Sequence, residues 1–169
     1  MHNSPLVILS SARKNGDTHQ LVSNLFLGKD VALLDLLDYH VTPYSYKGEY
    51  PSHDQFLTIL MDILKHDSIV FATPVYWYAM SGSLKNFFDR LTDLVTINKT
   101  IGRQMKGKTI YLLAVGAENV LPSGFEVPFA QTSTYFDMEY KGCYYCRTDE
   151  LLTMPDKESF LYKIYTSGK

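Results

Sequence analysis

Five short apolar segments alternate with helical patterns along this chain, and that alternation constrains its fold more than any other feature. The segments are residues 5–9, 31–37, 68–72, 109–115 and 143–146. The first is continuously apolar, which is typical of a strand buried on both faces. Regular alternation of strands and helices predicts a parallel sheet covered by helices on both sides.

The intervals between these segments carry helical periodicity. Apolar residues recur at i, i+3 and i+4 from Phe56 to Leu64 and again from Leu84 to Val95. Ser52 followed by Gln55 has the pattern of a capping box before the first of these stripes. Further helices are predicted over residues 17–27, 128–138 and 156–166. Five strands in 169 residues favour one α/β domain, residues 1–169, built as a three-layer sandwich with the flavodoxin-like strand order 2-1-3-4-5.

The charge and the apolar runs exclude several classes of partner. A formal net charge of -2 provides no electrostatic footprint for nucleic acid, and no block of Lys and Arg suggests a membrane patch. No run approaches the ~20 apolar residues that a membrane span needs. The apolar stretch near the N-terminus is too short for a signal peptide, so we expect a cytoplasmic protein.

The two cysteines, Cys143 and Cys146, lie in the sequence GCYYC. In a strand, residues three apart point to opposite faces and lie roughly 10 Å apart at ~3.3 Å per residue, which is too far for a disulfide. No second Cys or Cys/His pair completes a zinc site. We therefore predict two free thiols and no metal site.

The loop after the first strand, ILSSARKNGDT, is dense in hydrogen-bond donors. A helix follows it directly, so the helix N–H groups and positive dipole end face the loop. The patterns of a P-loop and of a Rossmann dinucleotide site are both absent. Two interpretations stay open from these residues alone: a site for a single phosphate, or a polar turn with solvated Arg13 and Lys14.

A row of aromatic residues, Tyr76, Trp77 and Tyr78, follows the third strand. Neighbouring residues of a strand alternate between faces, so at least one of the three rings should line a cleft or its rim. The small residues after them allow backbone groups to approach a planar ligand. The segment suggests a platform for a ring system, and the alternative is an aromatic cluster with only a packing role.

These two segments together resemble the NADPH-dependent FMN reductase and quinone reductase family of flavodoxin-like flavoproteins. SSARKNGDT matches the family's phosphate loop, and TPVYWYAMSGSLKNFFDRL matches the segment beside the isoalloxazine ring. The resemblance covers about residues 5 to 148. It implies FMN as cofactor, held by three groups of residues: Ser10, Ser11, Arg13, Asn15, Gly16, Asp17 and Thr18 at the phosphate; Pro74, Val75, Tyr76, Trp77 and Tyr78 at the ring; and Gly116 and Ala117 on its far side.

One position departs from the family pattern, which often has Asn where this chain has Asp17. A carboxylate repels a phosphate, so we expect Asp17 to cap the helix and to offer the ligand only its N–H group. The resemblance also implies a homodimer in which the helix carrying Lys85 and Asp89 often lies at the interface. On the sequence alone, these two residues can instead pair across one helical turn on the solvent side.

The resemblance implies an FMN-dependent NAD(P)H oxidoreductase that passes hydride from NADPH or NADH through the flavin to a quinone, flavin or similar aromatic acceptor. The flavin carries the difficult chemistry, so no catalytic residue is predicted. Trp77 and residues 44–50 are expected to border an open slot for both substrates. Two alternatives stay open: a flavodoxin-type electron carrier, and a flavin-free binding or regulatory domain on the same fold.

Overall fold

The computed structural model describes residues 4–166, and its strands form one parallel sheet of five strands. The strands, in chain order, are β1 (Leu6–Leu9), β2 (Ala32–Asp35), β3 (Ser68–Pro74), β4 (Thr109–Gly116) and β5 (Glu139–Arg147). Their spatial order is β2-β1-β3-β4-β5, with every neighbouring pair parallel. The predicted fold class is confirmed.

The helices connect the strands in the alternation that the sequence predicts. Those described are α1 (Asp17–Leu25), α2 (Phe56–Ile63), α3 (Gly82–Arg90), α4 (Lys99–Arg103), α5 (Val127–Tyr135) and α6 (Lys157–Thr166). No helix within residues 4–166 combines the length and apolar character that crossing a membrane requires.

Two apolar cores lie on opposite faces of the sheet. One contains Phe56, Phe87 and Phe129, from α2, α3 and α5. The other contains Leu21 and Leu161, from α1 and α6. Every residue of β3 and β4 is buried, since these central strands are covered on both faces. Burial of each large apolar side chain contributes about 1.5–3 kcal/mol, so the two cores fix the sheet on which the loops stand.

The structure differs from the sequence expectation at several element boundaries. The predicted capping box is wrong: α2 begins at Phe56, the Oδ1 atom of Asp54 accepts from the Phe56 N–H at 3.2 Å, and the Gln55 side chain accepts from His40 instead. The apolar stripe from Leu84 to Val95 is divided, because α3 ends at Arg90 and a 3₁₀ turn covers Leu91–Leu94. The short helix α4 was not predicted.

The two cysteines lie on opposite faces of β5, as predicted. Cys143 packs against the α2–α3–α5 core, whereas Cys146 is buried in the core beneath α1 and α6. Both thiols are free. Burial is the main cause that raises the pKa of Cys143, and burial with the nearby Glu150 raises the pKa of Cys146 to about 11.

A buried arginine at the end of α3 holds the long segment between β2 and α2. The Arg90 side chain, 2% exposed, donates through Nη1 and Nη2 to the Asp54 carboxylate and through Nε to Asp93 at 2.9 Å. Its guanidinium lies 3.4 Å from the centre of the Tyr50 ring and 4.5 Å from that of Phe56. Cation–π contacts of this kind are strongest when they are desolvated.

Residues 39–55 therefore follow α3 rather than reaching over the carboxyl edge of the sheet. Asn86 donates to the carbonyl of Val41 at 2.7 Å, and Arg90 donates to that of Thr42 at 2.8 Å. The Tyr50 hydroxyl donates to Asp93, beyond the end of α3, at 2.9 Å. These contacts place residues 44–50 along the helix, away from the slot that they were expected to border.

Candidate functional site

The carboxyl ends of β1, β3, β4 and β5 enclose a cleft of about 270 Å³. This edge is where open parallel sheets bind ligands, at the point where the strand order reverses. Nine of the fourteen predicted site residues line the cleft, and they come from all three predicted segments: Ser11, Arg13, Asp17, Thr18, Pro74, Val75, Tyr76, Gly116 and Ala117. The structure thus brings the three predicted segments to one cleft.

The loop after β1 presents the uncapped start of α1 to this cleft. Asn15 adopts a left-handed conformation, with φ of 55°, which asparagine tolerates better than most residues. Gly16 then occupies the N-cap position and has no side chain with which to cap the helix. Asp17 is the first helical residue, so the expectation that it caps α1 is wrong. Within residues 4–166, no side chain caps the first N–H groups of α1, which suits an anion.

Arg13 folds back across the beginning of α1. A Cβ atom added to Gly16 would lie 2.9 Å from Arg13 Nε and 3.1 Å from Arg13 Cγ, so the arginine occupies the space that only glycine leaves. Arg13 Nη2 lies 3.9 Å from Asp17 Oδ2. The guanidinium and the carboxylate therefore sit together at the mouth of the cleft, and both are substantially exposed.

Lys14 is held by carboxylates at the end of β2. Its Nζ atom lies 3.0 Å from Asp35 Oδ2 and 2.6 Å from Asp38 Oδ1. Hydrogen bonds to Asp38 and Asp35 are the main causes that raise the pKa of Lys14. The ammonium thus ties the loop after β1 to the neighbouring strand, and it is not among the residues that line the cleft.

The hydroxyl of Ser10 belongs to a cluster of serines behind the cleft. Ser10 is fully buried, and its Oγ atom lies 2.8 Å from that of Ser81 and 2.6 Å from that of Ser83. Ser81 caps α3, because its Oγ accepts from the Leu84 N–H. These bonds join β1 to the start of α3, so the hydroxyl of Ser10 is engaged within the protein.

The aromatic row after β3 forms a tight two-residue turn. Tyr76 and Ala79 exchange backbone hydrogen bonds of 2.9 and 3.0 Å, and Trp77 and Tyr78 between them have φ of 48° and 65°. Positive φ at both central positions defines a type I′ turn, which usually contains Asn-Gly. The Trp77 and Tyr78 side chains are 93% and 68% exposed, so the turn presents two large rings to solvent beside the cleft.

The far side of the cleft is formed where β4 and β5 end. A Cβ atom added to Gly116 would lie 2.9 Å from the Tyr145 hydroxyl and 3.3 Å from Val75 Cβ, so a larger residue would crowd the point where β3, β4 and β5 converge. The Thr148 N–H donates to the Gly116 carbonyl at 2.9 Å. Thr148 and Val115 also line the cleft, and sequence reasoning missed both. The signal for Thr148 was its position directly after the fifth strand.

A larger cleft, of about 670 Å³, lies between α4 and the end of α5. Its wall includes Tyr135 and Phe136, just before β5 begins, so it lies toward the amino ends of the strands. The smaller cleft is the better candidate because it combines a free helix start with the carboxyl edge of the sheet. Among residues 4–166, no group of three or more His, Cys, Asp or Glu side chains is placed to hold a metal ion.

The fold and the site together define a flavodoxin-like protein with an uncapped helix start at its switch point. Residues 5–121 match the family described as NADPH-dependent FMN reductase. The chain is also 30% identical, over 145 residues, to a Bacillus subtilis protein provisionally named as an NAD(P)H-dependent FMN-containing oxidoreductase, YwqN, and the match covers 80% of each chain.

Solved structures agree with this assignment. The structure of a Trp repressor binding protein from Bacillus subtilis superposes with a TM-score of 0.73 at 26% identity, covering 95% of this chain and 98% of the other. An FMN-dependent NADH-azoreductase from Bacillus anthracis, solved with FMN, gives a TM-score of 0.71 at 10% identity, covering 97% and 100%, and that likeness shows the fold alone. The chain belongs to the NADPH-dependent FMN reductase family, which confirms the predicted family of FMN-dependent oxidoreductases.

The residues of the cleft fit FMN. The unpartnered N–H groups at the start of α1, with the hydroxyls of Ser11 and Thr18, suit a phosphate. Pro74, Val75 and Gly116 line the cleft at the ends of β3 and β4, where a planar ring can lie against the backbone. Binding of FMN by the individual site residues stays a prediction.

Proposed function

We propose that this protein uses FMN, bound in the cleft at the carboxyl edge of its sheet, to oxidise NAD(P)H and reduce a small aromatic acceptor such as a quinone or a flavin. The observation that carries the proposal is the uncapped start of α1, which opens into a cleft bordered by an aromatic turn. Family membership supports the reaction class, and the acceptor belongs to the proposal.

In this proposal the chain's residues bind and orient, and bound FMN supplies the hydride-transfer chemistry that the protein lacks. The first N–H groups of α1 would hold the phosphate, assisted by the dipole of the helix. The backbone of residues 74–78 would hold the ring from one side, and Gly116 with Ala117 would hold it from the other. Among the residues that the structure describes, no histidine lines the cleft, so no side chain of that type is assigned to proton transfer.

The exposed aromatic turn supports an aromatic acceptor. Trp77 is 93% exposed and adjoins the cleft through Tyr76, so it offers a flat apolar surface to a planar substrate. We also propose a homodimer and a cytoplasmic location. The Lys85–Asp89 ion pair on the exposed side of α3 is compatible with the surface of a monomer or with the rim of an interface.

The visible spectrum of the purified protein, before and after addition of FMN, tests the proposal. We expect flavin absorbance that elutes with the protein in gel filtration. This absorbance should bleach on anaerobic addition of NADPH or NADH. Restoration of the absorbance by a quinone, or by excess flavin, would then identify the acceptor class. A protein that stays colourless with FMN would contradict the proposal and favour a flavin-free domain.

Stopped-flow mixing distinguishes the enzyme from an electron carrier. In an enzyme of this class, NADPH should bleach the bound flavin at least as fast as the enzyme turns over. In a carrier that is reduced by a protein partner, the bound flavin should react negligibly with NADPH. A site variant with a matched control makes the comparison specific. Gly16→Val should weaken FMN binding, because the added side chain would crowd Arg13 and the first N–H groups of α1. Gln20→Val, at an exposed position within α1, should leave binding unchanged.

A further inference from the structure

We infer that this cleft selects the flavin ring system with little regard to the 5′-phosphate, so that its ligand class is flavins with or without phosphate. The inference rests on the proposed function, because it concerns the same cleft. It follows from the charged side chains around the start of α1, where the phosphate of FMN would lie.

The lysine of the loop contributes no free positive charge to the cleft. Lys14 Nζ is shared between Asp35 at 3.0 Å and Asp38 at 2.6 Å. The Asp35 side chain is only 10% exposed, so the contact between Lys14 and Asp35 is partly protected from solvent. A phosphate that approaches this ammonium also approaches the two carboxylates, and their repulsion offsets the attraction.

The arginine of the loop is also accompanied by a carboxylate. Arg13 Nη2 lies 3.9 Å from Asp17 Oδ2, and both groups line the cleft. Its fold across Gly16 keeps the guanidinium beside the first helical turn, where Asp17 begins the helix. A phosphate that approaches Arg13 therefore also approaches the carboxylate of Asp17.

The charged groups of the loop and its immediate partners are thus two cations and three carboxylates, which leaves one negative charge in excess. What remains to attract a phosphate is neutral: the N–H groups of α1 and the hydroxyls of Ser11 and Thr18. The hydroxyl of Ser10, which the family resemblance assigned to the phosphate, bonds to Ser81 and Ser83 instead. These donors also bind the neutral hydroxyls of a ribityl chain, so only the dipole of α1 favours the phosphate over them.

Two measurable consequences distinguish this cleft from a cationic one. The dissociation constants of FMN and riboflavin should differ by less than about ten-fold, since the side chains supply no net positive charge and the dipole of α1 favours the phosphate by only about two- to five-fold. FMN binding should also be insensitive to salt, or should tighten slightly as salt screens the excess negative charge; a cationic loop would lose affinity. Both quantities can be measured by quenching of flavin fluorescence, without any turnover.

The variant Asp17→Asn tests the cause. Removal of the carboxylate should tighten FMN binding by about three- to ten-fold, as expected for a dianion within about one Debye length of a single charge, and should leave riboflavin binding unchanged. The variant Asp17→Ser should behave alike, and circular dichroism checks that both variants fold. Asp30→Asn is the matched control, because Asp30 is an exposed aspartate beyond the far end of α1.

The outcomes separate this inference from the proposed function. A preference for FMN over riboflavin above about ten-fold, or an Asp17→Asn variant that tightens neither ligand or both equally, would overturn the inference while leaving an FMN-dependent enzyme intact. Failure of the wild-type protein to bind any flavin would instead overturn the proposed function. Selective tightening of FMN in both Asp17 variants, but not in the Asp30 variant, would establish the inference.

Discussion

The type I′ turn beside the cleft predicts that, at position 77, a glycine variant is more stable than an alanine variant. Trp77 has φ of 48° and is 93% exposed. A non-glycine residue in the left-handed region costs about 1–2 kcal/mol, because its Cβ atom crowds the following carbonyl oxygen. At ordinary exposed positions glycine is less stable than alanine by about 0.5–1 kcal/mol, because it has more conformational freedom to lose.

At Trp77 the first effect should outweigh the second. The side chain is almost wholly exposed, so truncation to glycine or to alanine removes the same small amount of buried surface. Trp77→Gly should therefore be more stable than Trp77→Ala by about 0.5–1 kcal/mol, the difference between these two costs. In a domain of this size, that difference corresponds to about 1–4 °C in Tm.

Urea unfolding of the flavin-free variants, followed by circular dichroism, measures this difference directly. The control pair is Gln20→Gly and Gln20→Ala, at an exposed position within α1, where alanine should be the more stable by about 1 kcal/mol. The reasoning requires opposite signs at the two positions. If alanine proved as stable as glycine at position 77, the left-handed turn, and the presentation of the two rings that depends on it, would be refuted.

Three other predictions concern the buried polar groups. Arg90→Leu should lower the free energy of unfolding, measured by urea titration, by about 3–5 kcal/mol, because it leaves the buried carboxylate of Asp54 without its partner. A loss below about 1 kcal/mol would contradict the buried ion pair. Burial raises the pKa of Asp54, but hydrogen bonds from Arg90 and Thr42 outweigh it and lower that pKa to about 2, below its unfolded value of 3.8. Stability from this group is therefore complete above pH 4 and should be lost as pH falls from about 4 to 2, by about 2 kcal/mol, a loss that Asp54→Asn should abolish. Both cysteines, Cys143 and Cys146, should react slowly with Ellman's reagent at pH 8 in the native state, because burial raises the pKa of each thiol. In urea both thiols should react at once, and fewer than two reactive thiols there would indicate a disulfide.

The sheet could be predicted because its signals are local and agree with each other. The continuously apolar segments and the helical stripes between them allow few topologies, and the structure has the strand order that they favour. Errors fall where tertiary contacts decide the outcome. The helix expected to start near Ser52 begins at Phe56, because Arg90 and the Thr42 N–H bind Asp54 and hold the preceding chain against α3.

The membership of the site was less predictable than its location. Any residue that follows a strand at the carboxyl edge is a candidate, and nine of the candidates named from the sequence do line the cleft. Side-chain direction cannot be read in this way. Ser10 stands next to Ser11 in sequence, yet its hydroxyl points to the start of α3, whereas Ser11 lines the cleft.

The electrostatic character of the site depends on partners that are distant in sequence. In isolation, Arg13 and Lys14 suggest a strongly cationic loop, and Asp17 looks like a single unfavourable substitution. The parallel pairing of β1 with β2 brings Asp35 beside the end of β1, and the turn that follows brings Asp38 to the same lysine. The pairing of Lys14 with these carboxylates is therefore a consequence of strand order. Because Lys14 is already paired, Asp17 adds its negative charge to a loop that has no excess of positive charge.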